Sequence, residues 1–306
     1  MTTNQHIKPS TVERKENLFI GGCDTVELAK KYGTPLYVVD ETTLRNICHD
    51  FKNAFKSYPH TRMMYASKAL CTSAIVKILD EEGFGFDTVS IGEIHTVLNA
   101  GVELSHVLFN GNNKTERELD YAIKNGISRI SVDNFYEIDL ISKVAGRYNK
   151  TVDVLLRVTP GIECHTHEYI KTGQLDSKFG FDLSQLDDAV TSILTRHQNI
   201  KIRGLHAHIG SQIFEPSCFH DEIDVLTQTL GEISTKYNIV LDEINIGGGI
   251  GVKYVDSDLP PSINEIADVI IESLDKHIAK YNIEPPTLYI EPGRSIISTS
   301  GVTLYT

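Results

Sequence analysis

A single lysine, Lys68, ends the run RMMYASKAL, residues 62–70, in which apolar and aromatic residues give way to small ones. Lysine is among the side chains least often buried unless it is paired or in use. Partial removal of water disfavours the charged amine and lowers its pKa, which suits it to form a Schiff base with an aldehyde. The plain alternative is a strand-end lysine reaching for solvent. The other polar groups that end apolar runs bear on that choice.

Gly247-Gly-Gly-Ile-Gly251 leaves four positions without a Cβ just after an apolar run. Backbone N–H groups there can approach an anion closely, with help from the dipole of a following helix; a tight turn is the bland account. His206-Ala-His208-Ile-Gly-Ser211-Gln212 puts two histidines on one face of a strand. An imidazole so placed can stack on a planar ring, and the Ser211 hydroxyl can join a phosphate site. Neither this pair nor Cys164-His-Thr-His167 comes with a third and fourth ligand at known spacing, so no metal is expected. In Glu291-Pro-Gly293-Arg294 the carboxylate can pair with a protonated ring nitrogen, and the guanidinium can hold a carboxylate or phosphate in a fork. A mutual Glu291–Arg294 bridge is the alternative. Arg157 ends an apolar run and needs an anionic neighbour, for which Asp87 is a candidate. Lys178 falls in a long loop, where a solvated lysine is the ordinary case. An amine, a stacking imidazole, phosphate-binding glycines and a carboxylate for a pyridine nitrogen together make the inventory for pyridoxal phosphate, which supplies an electron sink while the protein supplies orientation and electrostatics.

These groups require elements that bring strand ends together. Eight candidate strands, 62–69, 84–90, 106–112, 129–134, 151–160, 202–211, 241–249 and 287–294, alternate with helical patterns. TERELDYAIKNG opens on a capping-box threonine and stops at Gly126, while NFYEIDLISKVAGRY and INEIADVIIESLDKHIAKY carry Ile, Leu and Val at helical spacing. Eight β-then-α units predict an α/β fold, a (β/α)8 TIM-like barrel, in preference to an open doubly wound sheet. Function in such a barrel collects at the carboxyl ends of the strands. Lys68, Asp87 with Ser90, Asn110, Asp133, Arg157, His208 with Ser211, Gly247–Gly251 and Glu291 with Arg294 are the polar groups there. A strand over 34–40 precedes the series, and Asp40 opens a helix expected to run to about Tyr58.

The bulk numbers exclude other classes. Hydrophobic content of 41% and charged content of 23% over 306 residues are those of a globular protein. A net charge of -12 opposes a nucleic-acid partner, which needs clustered Lys and Arg. No apolar run approaches the roughly 20 residues that span a bilayer, and the first residues lack the apolar core of a signal peptide. Five scattered cysteines without a C-x-x-C pair fit a reducing compartment, so a cytoplasmic location is expected.

The motifs YASKA, HIGSQ, GGGIG and EPGR, in that order on a barrel, resemble the fold type III pyridoxal-phosphate decarboxylases, relatives of alanine racemase. The run HTHEYIKTG at 165–173, followed by DSKFG at 176–180, is most similar to the diaminopimelate decarboxylase family. The resemblance covers nearly the whole chain. It implies Lys68 as the cofactor-bearing lysine and His208 as the ring-stacking residue. It implies Ser211, Gly248, Gly249 and Gly251 near the phosphate, Glu291 on the pyridine nitrogen, Gly293 among the cofactor-binding residues, and Arg294 on phosphate or a substrate carboxylate. Asp87 and Arg157 would support the lysine and the ring hydroxyl. The implied reaction is loss of carbon dioxide from meso-diaminopimelate to give L-lysine, the last step of lysine biosynthesis, by a homodimer acting on a small amino acid. Members of the family continue into a C-terminal β-domain, whose cysteine donates the product's proton. The expected organisation is therefore a lead-in over 1–35 associated with that domain, a barrel over 36–295 and the start of the β-domain over 296–306. None of the five cysteines here has that context, so a poorly active fragment is expected. Sister decarboxylases acting on ornithine, arginine or carboxynorspermidine, and a non-catalytic pyridoxal-phosphate protein, are the alternatives. A class I aldolase would need no carboxylate for a pyridine nitrogen.

Overall fold

The computed structural model describes residues 2–162 and 179–306. Eight parallel strands form a closed ring: β1 Thr61–Ala66, β2 Gly85–Thr88, β3 Val107–Phe109, β4 Arg129–Val132, β5 Val152–Thr159, β6 Ile200–His206, β7 Glu243–Asn245 and β8 Thr287–Ile290. Neighbours in sequence are neighbours in the ring. Ile130 of β4 pairs with Val154 of β5, and Leu288 of β8 pairs with Thr61 of β1 to close it. The expected (β/α)8 barrel is present, with strands shorter than their apolar runs because the polar ends turn away from the ladder into loops.

Helices cover the outside. Asp40 caps Glu41–Ala54 by accepting from the Thr42 N–H at 3.2 Å, and the helix stops short of Tyr58. Thr115 with Glu118, and Ser262 with Glu265, form capping boxes on Glu116–Lys124 and Ile263–Tyr281. Their apolar faces and the outward side chains of the strands make the core, in which Val107, Ile130, Val154, Leu156, Ile244 and Leu288 are fully buried.

Two details of the barrel matter for the site. The β5–β6 register shifts between Ile202 and Gly204, and β7 approaches so closely there that a Cβ on Gly204 would lie 1.7 Å from the Glu243 carbonyl oxygen. At the same end, away from the carboxyl ends of the strands, Arg129 donates to both Glu243 carboxylate oxygens at 2.8 and 2.6 Å. Arg203 bonds Asp153 at 3.1 Å and Asp242 at 2.9 Å, so charged pairs close that end and leave the other for chemistry.

Leu36–Val39 lies outside the ring, paired antiparallel with Gly301–Leu304. The barrel bounds expected at 36–295 thus take in one strand that the ring does not contain; with β8 joined to β1 the ring has no edge to offer it. Residues Thr3–Gln5 of the lead-in pack on the barrel. Asn4 is buried and donates to the carbonyls of Gly251 at 3.2 Å and Pro261 at 2.8 Å.

Candidate active site

The carboxyl ends of the strands surround a cleft of about 730 Å³, a volume typical of small-molecule sites. Lys68, Asp87, Arg157, His208, Ser211, Gly248, Gly249, Glu291, Gly293 and Arg294 all line it. Gly251 does not; it packs against Phe214, whose ring would meet a Cβ there at 2.4 Å.

Lys68 sits in a 3-10 turn, Ser67–Ala69, directly after β1. It is exposed to the cleft and not desolvated within the strand, because the turn carries it past the end of the ladder. Asp87, at the end of β2, is buried, and burial pushes its carboxyl up against the pull of the Lys68 ammonium. Glu291 follows β8. Burial, and then the Asp87 carboxylate, push it up to about 8, although Asn245, Lys68 and Asn110 oppose the shift. The two buried acids face the Lys68 ammonium, and Arg157 and Lys114 add positive charge on the Asp87 side.

Glu291 and Arg294 do not bridge. Glu291 Oε1 accepts from Asn245 Nδ2 at 2.7 Å and Asn110 Nδ2 at 2.9 Å, and the latter nitrogen also donates to Asp87 Oδ1 at 2.5 Å. Oε2 accepts no hydrogen bond among the described residues; the His206 Nε2 atom stands 3.7 Å away. Arg294 instead donates to Ser211 Oγ at 3.3 Å and Tyr254 Oη at 2.7 Å, over on the side of the glycine turn.

The glycine turn is built for close approach. A Cβ on Gly248 would lie 2.1 Å from the Glu291 carbonyl oxygen, so no larger residue fits between the ends of β7 and β8. Three of its N–H groups are already engaged. Gly247 donates to Asn245 Oδ1 at 2.8 Å, Gly248 to His208 Nδ1 at 3.3 Å and Gly251 to the Ile213 carbonyl at 3.2 Å. The N–H groups of Gly249 and Ile250 donate to no group among the described residues, which narrows the anion donors to these two. With Nδ1 an acceptor, His208 is the neutral Nε2–H tautomer; burial, helped by Lys68 and Arg157, pushes its pKa down to about 3.

Arg157 finds its anionic neighbour in Asp133, at 3.9 Å, with Phe179 under its guanidinium at 5.1 Å. Asp87, the candidate named from the sequence, makes no ion pair with Arg157 among the described residues, although the guanidinium still acts on it through its charge. The two histidines share the cleft but differ in role. His206 Nδ1 lies 2.6 Å from Ser131 Oγ and is buried, whereas His208 faces the glycine turn. Among the described residues no three His, Cys, Asp or Glu side chains gather as a metal site. Cys164 to His167, the HTHEYIKTG run and Lys178 lie outside the described residues. Asn245, Ser131 and Tyr254 carry no mark of a site residue in the sequence, and Asn110 shows there only as a polar strand end. For Asn245 the one available signal is an amide at the end of an apolar strand, next to the glycines.

A family model for the pyridoxal-dependent decarboxylases, pyridoxal binding domain, matches residues 44–298. The chain belongs to that family. Among family members, diaminopimelate decarboxylase of Bacillus subtilis is 43% identical over 293 residues, 95% of this chain and 66% of its own. The Synechocystis enzyme of the same name is 44% identical over 314 residues, with 99% and 66% covered. A crystal structure of diaminopimelate decarboxylase from M. jannaschii in complex with L-lysine superposes with a TM-score of 0.88 at 33% identity, covering 99% of this chain and 70% of that one. The chain spans about two thirds of the length of these decarboxylases.

Proposed function

We propose that this chain is the cofactor-holding barrel of a diaminopimelate decarboxylase, binding pyridoxal phosphate at Lys68 for the conversion of meso-2,6-diaminopimelate to L-lysine and carbon dioxide. The observation that carries the reading is the convergence of Lys68, His208, Glu291 and the Gly248–Ile250 turn on one cleft of a family member. The donor set fits the cofactor. The exposed Lys68 amine would take the aldehyde, the buried Glu291 carboxylate with one unfilled oxygen would suit a protonated ring nitrogen, and the two unengaged N–H groups with Ser211 and Arg294 would hold the phosphate. The whole-length relatives named above bear the activity in their names, and this supports the substrate.

Bound there, pyridoxal phosphate supplies the electron sink for the pair left when the bond to the substrate carboxylate breaks. The chain's residues set the conditions for that step. Glu291, itself buried, would place negative charge where the ring nitrogen gains positive charge. His208, held neutral, offers a flat apolar face without competing for that charge. Asp87 holds the Lys68 side by electrostatic attraction, and Arg294 offers its fork to an anion. The proton that replaces carbon dioxide has no donor assigned in this chain.

The reading includes a cytoplasmic homodimer. No disulfide joins the described cysteines, and no described helix is long and apolar enough to cross a membrane. The test is carbon dioxide release by the chain with added cofactor from meso-diaminopimelate, L-ornithine, L-arginine and carboxynorspermidine. Fastest release from meso-diaminopimelate is expected, at a rate that need not match the full-length relatives. Faster release from any of the other three would replace the reading with a sister decarboxylase.

A further inference from the structure

Glu291 is held from one side only. We propose that Asn245 and Asn110 are positioning residues that saturate Oε1 of Glu291, lower the basicity of its carboxylate and reserve Oε2 for the ring nitrogen of the cofactor. The inference rests on the pyridoxal-phosphate reading and adds two residues to it.

Both amides have their orientation fixed by what surrounds them. Asn245 Oδ1 accepts the Gly247 N–H at 2.8 Å, so its NH2 must face Glu291, which it reaches at 2.7 Å. The Glu291 N–H in turn donates to the Gly247 carbonyl at 2.6 Å. Three bonds therefore join the glycine turn to the carboxylate in one small ring, and Asn245 closes it. Asn110 faces two carboxylates, Asp87 and Glu291, with the two hydrogens of a single nitrogen. Reversing that amide would turn a carbonyl oxygen on both acids. Its own Oδ1 is buried with no partner among the described residues, a cost accepted to keep both donors aimed.

The consequence is chemical. Glu291 and a pyridine nitrogen share one proton, and the shared proton sits on the ring only when the carboxylate is the weaker base. Donors to Oε1 lower the basicity of the carboxylate and push the proton toward the ring. The other groups acting on this proton are Asp87 at β2, the Lys68 ammonium after β1, His206 at β6 and the buried Glu222 on Ser217–Tyr237. None of the four donates a hydrogen bond to Glu291 among the described residues, so the two amides are its direct controls.

The test is the nitrogen-15 signal of pyridoxal phosphate labelled in the ring, bound to the wild-type chain, to Asn245→Ser and to Asn110→Ala. Serine keeps an oxygen on the Gly247 side but is too short to hold both partners, so Asn245→Ser withdraws the amide donor from Glu291. Asn110→Ala acts from a different strand on the same oxygen, so the two variants cannot fail through one shared distortion. The wild type is expected to show a protonated ring. Each variant should move the signal toward the neutral ring and weaken cofactor affinity about tenfold or more, the scale of a hydrogen bond to a charged group. A wild-type signal of protonated ring with both variants unmoved overturns the inference and leaves the site reading standing. A wild-type chain that takes no cofactor at Lys68 overturns the site reading itself.

Discussion

At the scale of single residues, charge state divides the site. Glu291 ordinarily ionises near 4.5 and is pushed up to about 8 by burial and by Asp87. The folded chain keeps a proton there that the unfolded chain has lost, so the stability it contributes is full below pH 4.5 and is lost as pH rises through 8. His208 runs the other way. Its pKa falls from 6.5 to about 3, so the unfolded chain alone takes up the proton below 6.5 and folding weakens as pH falls through that range. Between 6.5 and 8 the carboxyl acts without opposition from the imidazole. Thermal or urea unfolding of the cofactor-free chain should show stability declining as pH rises across that window. Glu291→Gln should flatten the decline in the same measurement; an unchanged slope would remove Glu291 as its source. The residues that set this chemistry are unequally visible in the sequence. Lys68, His208 and Glu291 stand out as polar types ending apolar runs. Asn110 gains its role only from a contact with a residue 181 positions away, and one chain gives no sign of which strand ends will touch. The same limit directs Arg157 to Asp87 when its neighbour is Asp133.

At the scale of elements, the loop after β3 is held from beneath by a buried ion pair. Lys114 Nζ donates to the Gly111 carbonyl at 2.6 Å, the Ser131 carbonyl at 2.6 Å and Glu137 Oε1 at 2.7 Å, which uses all three of its hydrogens. Glu137 Oε2 takes the Asp133 N–H at 2.7 Å and so ties in the end of β4 as well. The lysine side chain is 1% exposed and that of Glu137 4%. Removing one partner strands a charge in the interior, a change that costs about 3–5 kcal/mol. Lys114→Met should lower the urea midpoint by a corresponding amount, and a loss under about 1 kcal/mol would show that the pair is dispensable. Nothing in GNNKT at 111–115 distinguishes this lysine from a solvated one. The capping boxes next to it are legible, because their donors and acceptors lie three residues apart and need no tertiary partner.

At the scale of the whole molecule, the alternation of apolar runs with helical patterns is enough for the barrel, since eight β-then-α units close as a ring once each strand pairs with the next. What alternation does not carry is which strands stand apart. Leu36–Val39 has the same composition as a stave, yet it pairs with Gly301–Leu304 because the closed ring leaves it no edge. The closed ring is also what draws residues from 68 to 294 into one cleft, and the account of function depends on that convergence. The measurement that tests it most directly is borohydride reduction of the chain mixed with pyridoxal phosphate, followed by peptide mapping, with the visible spectrum recorded before reduction. The account predicts a yellow band that reduction bleaches, and a single pyridoxyl group on Lys68. A colourless mixture, or label spread over surface lysines with Lys68 unmodified, would contradict it.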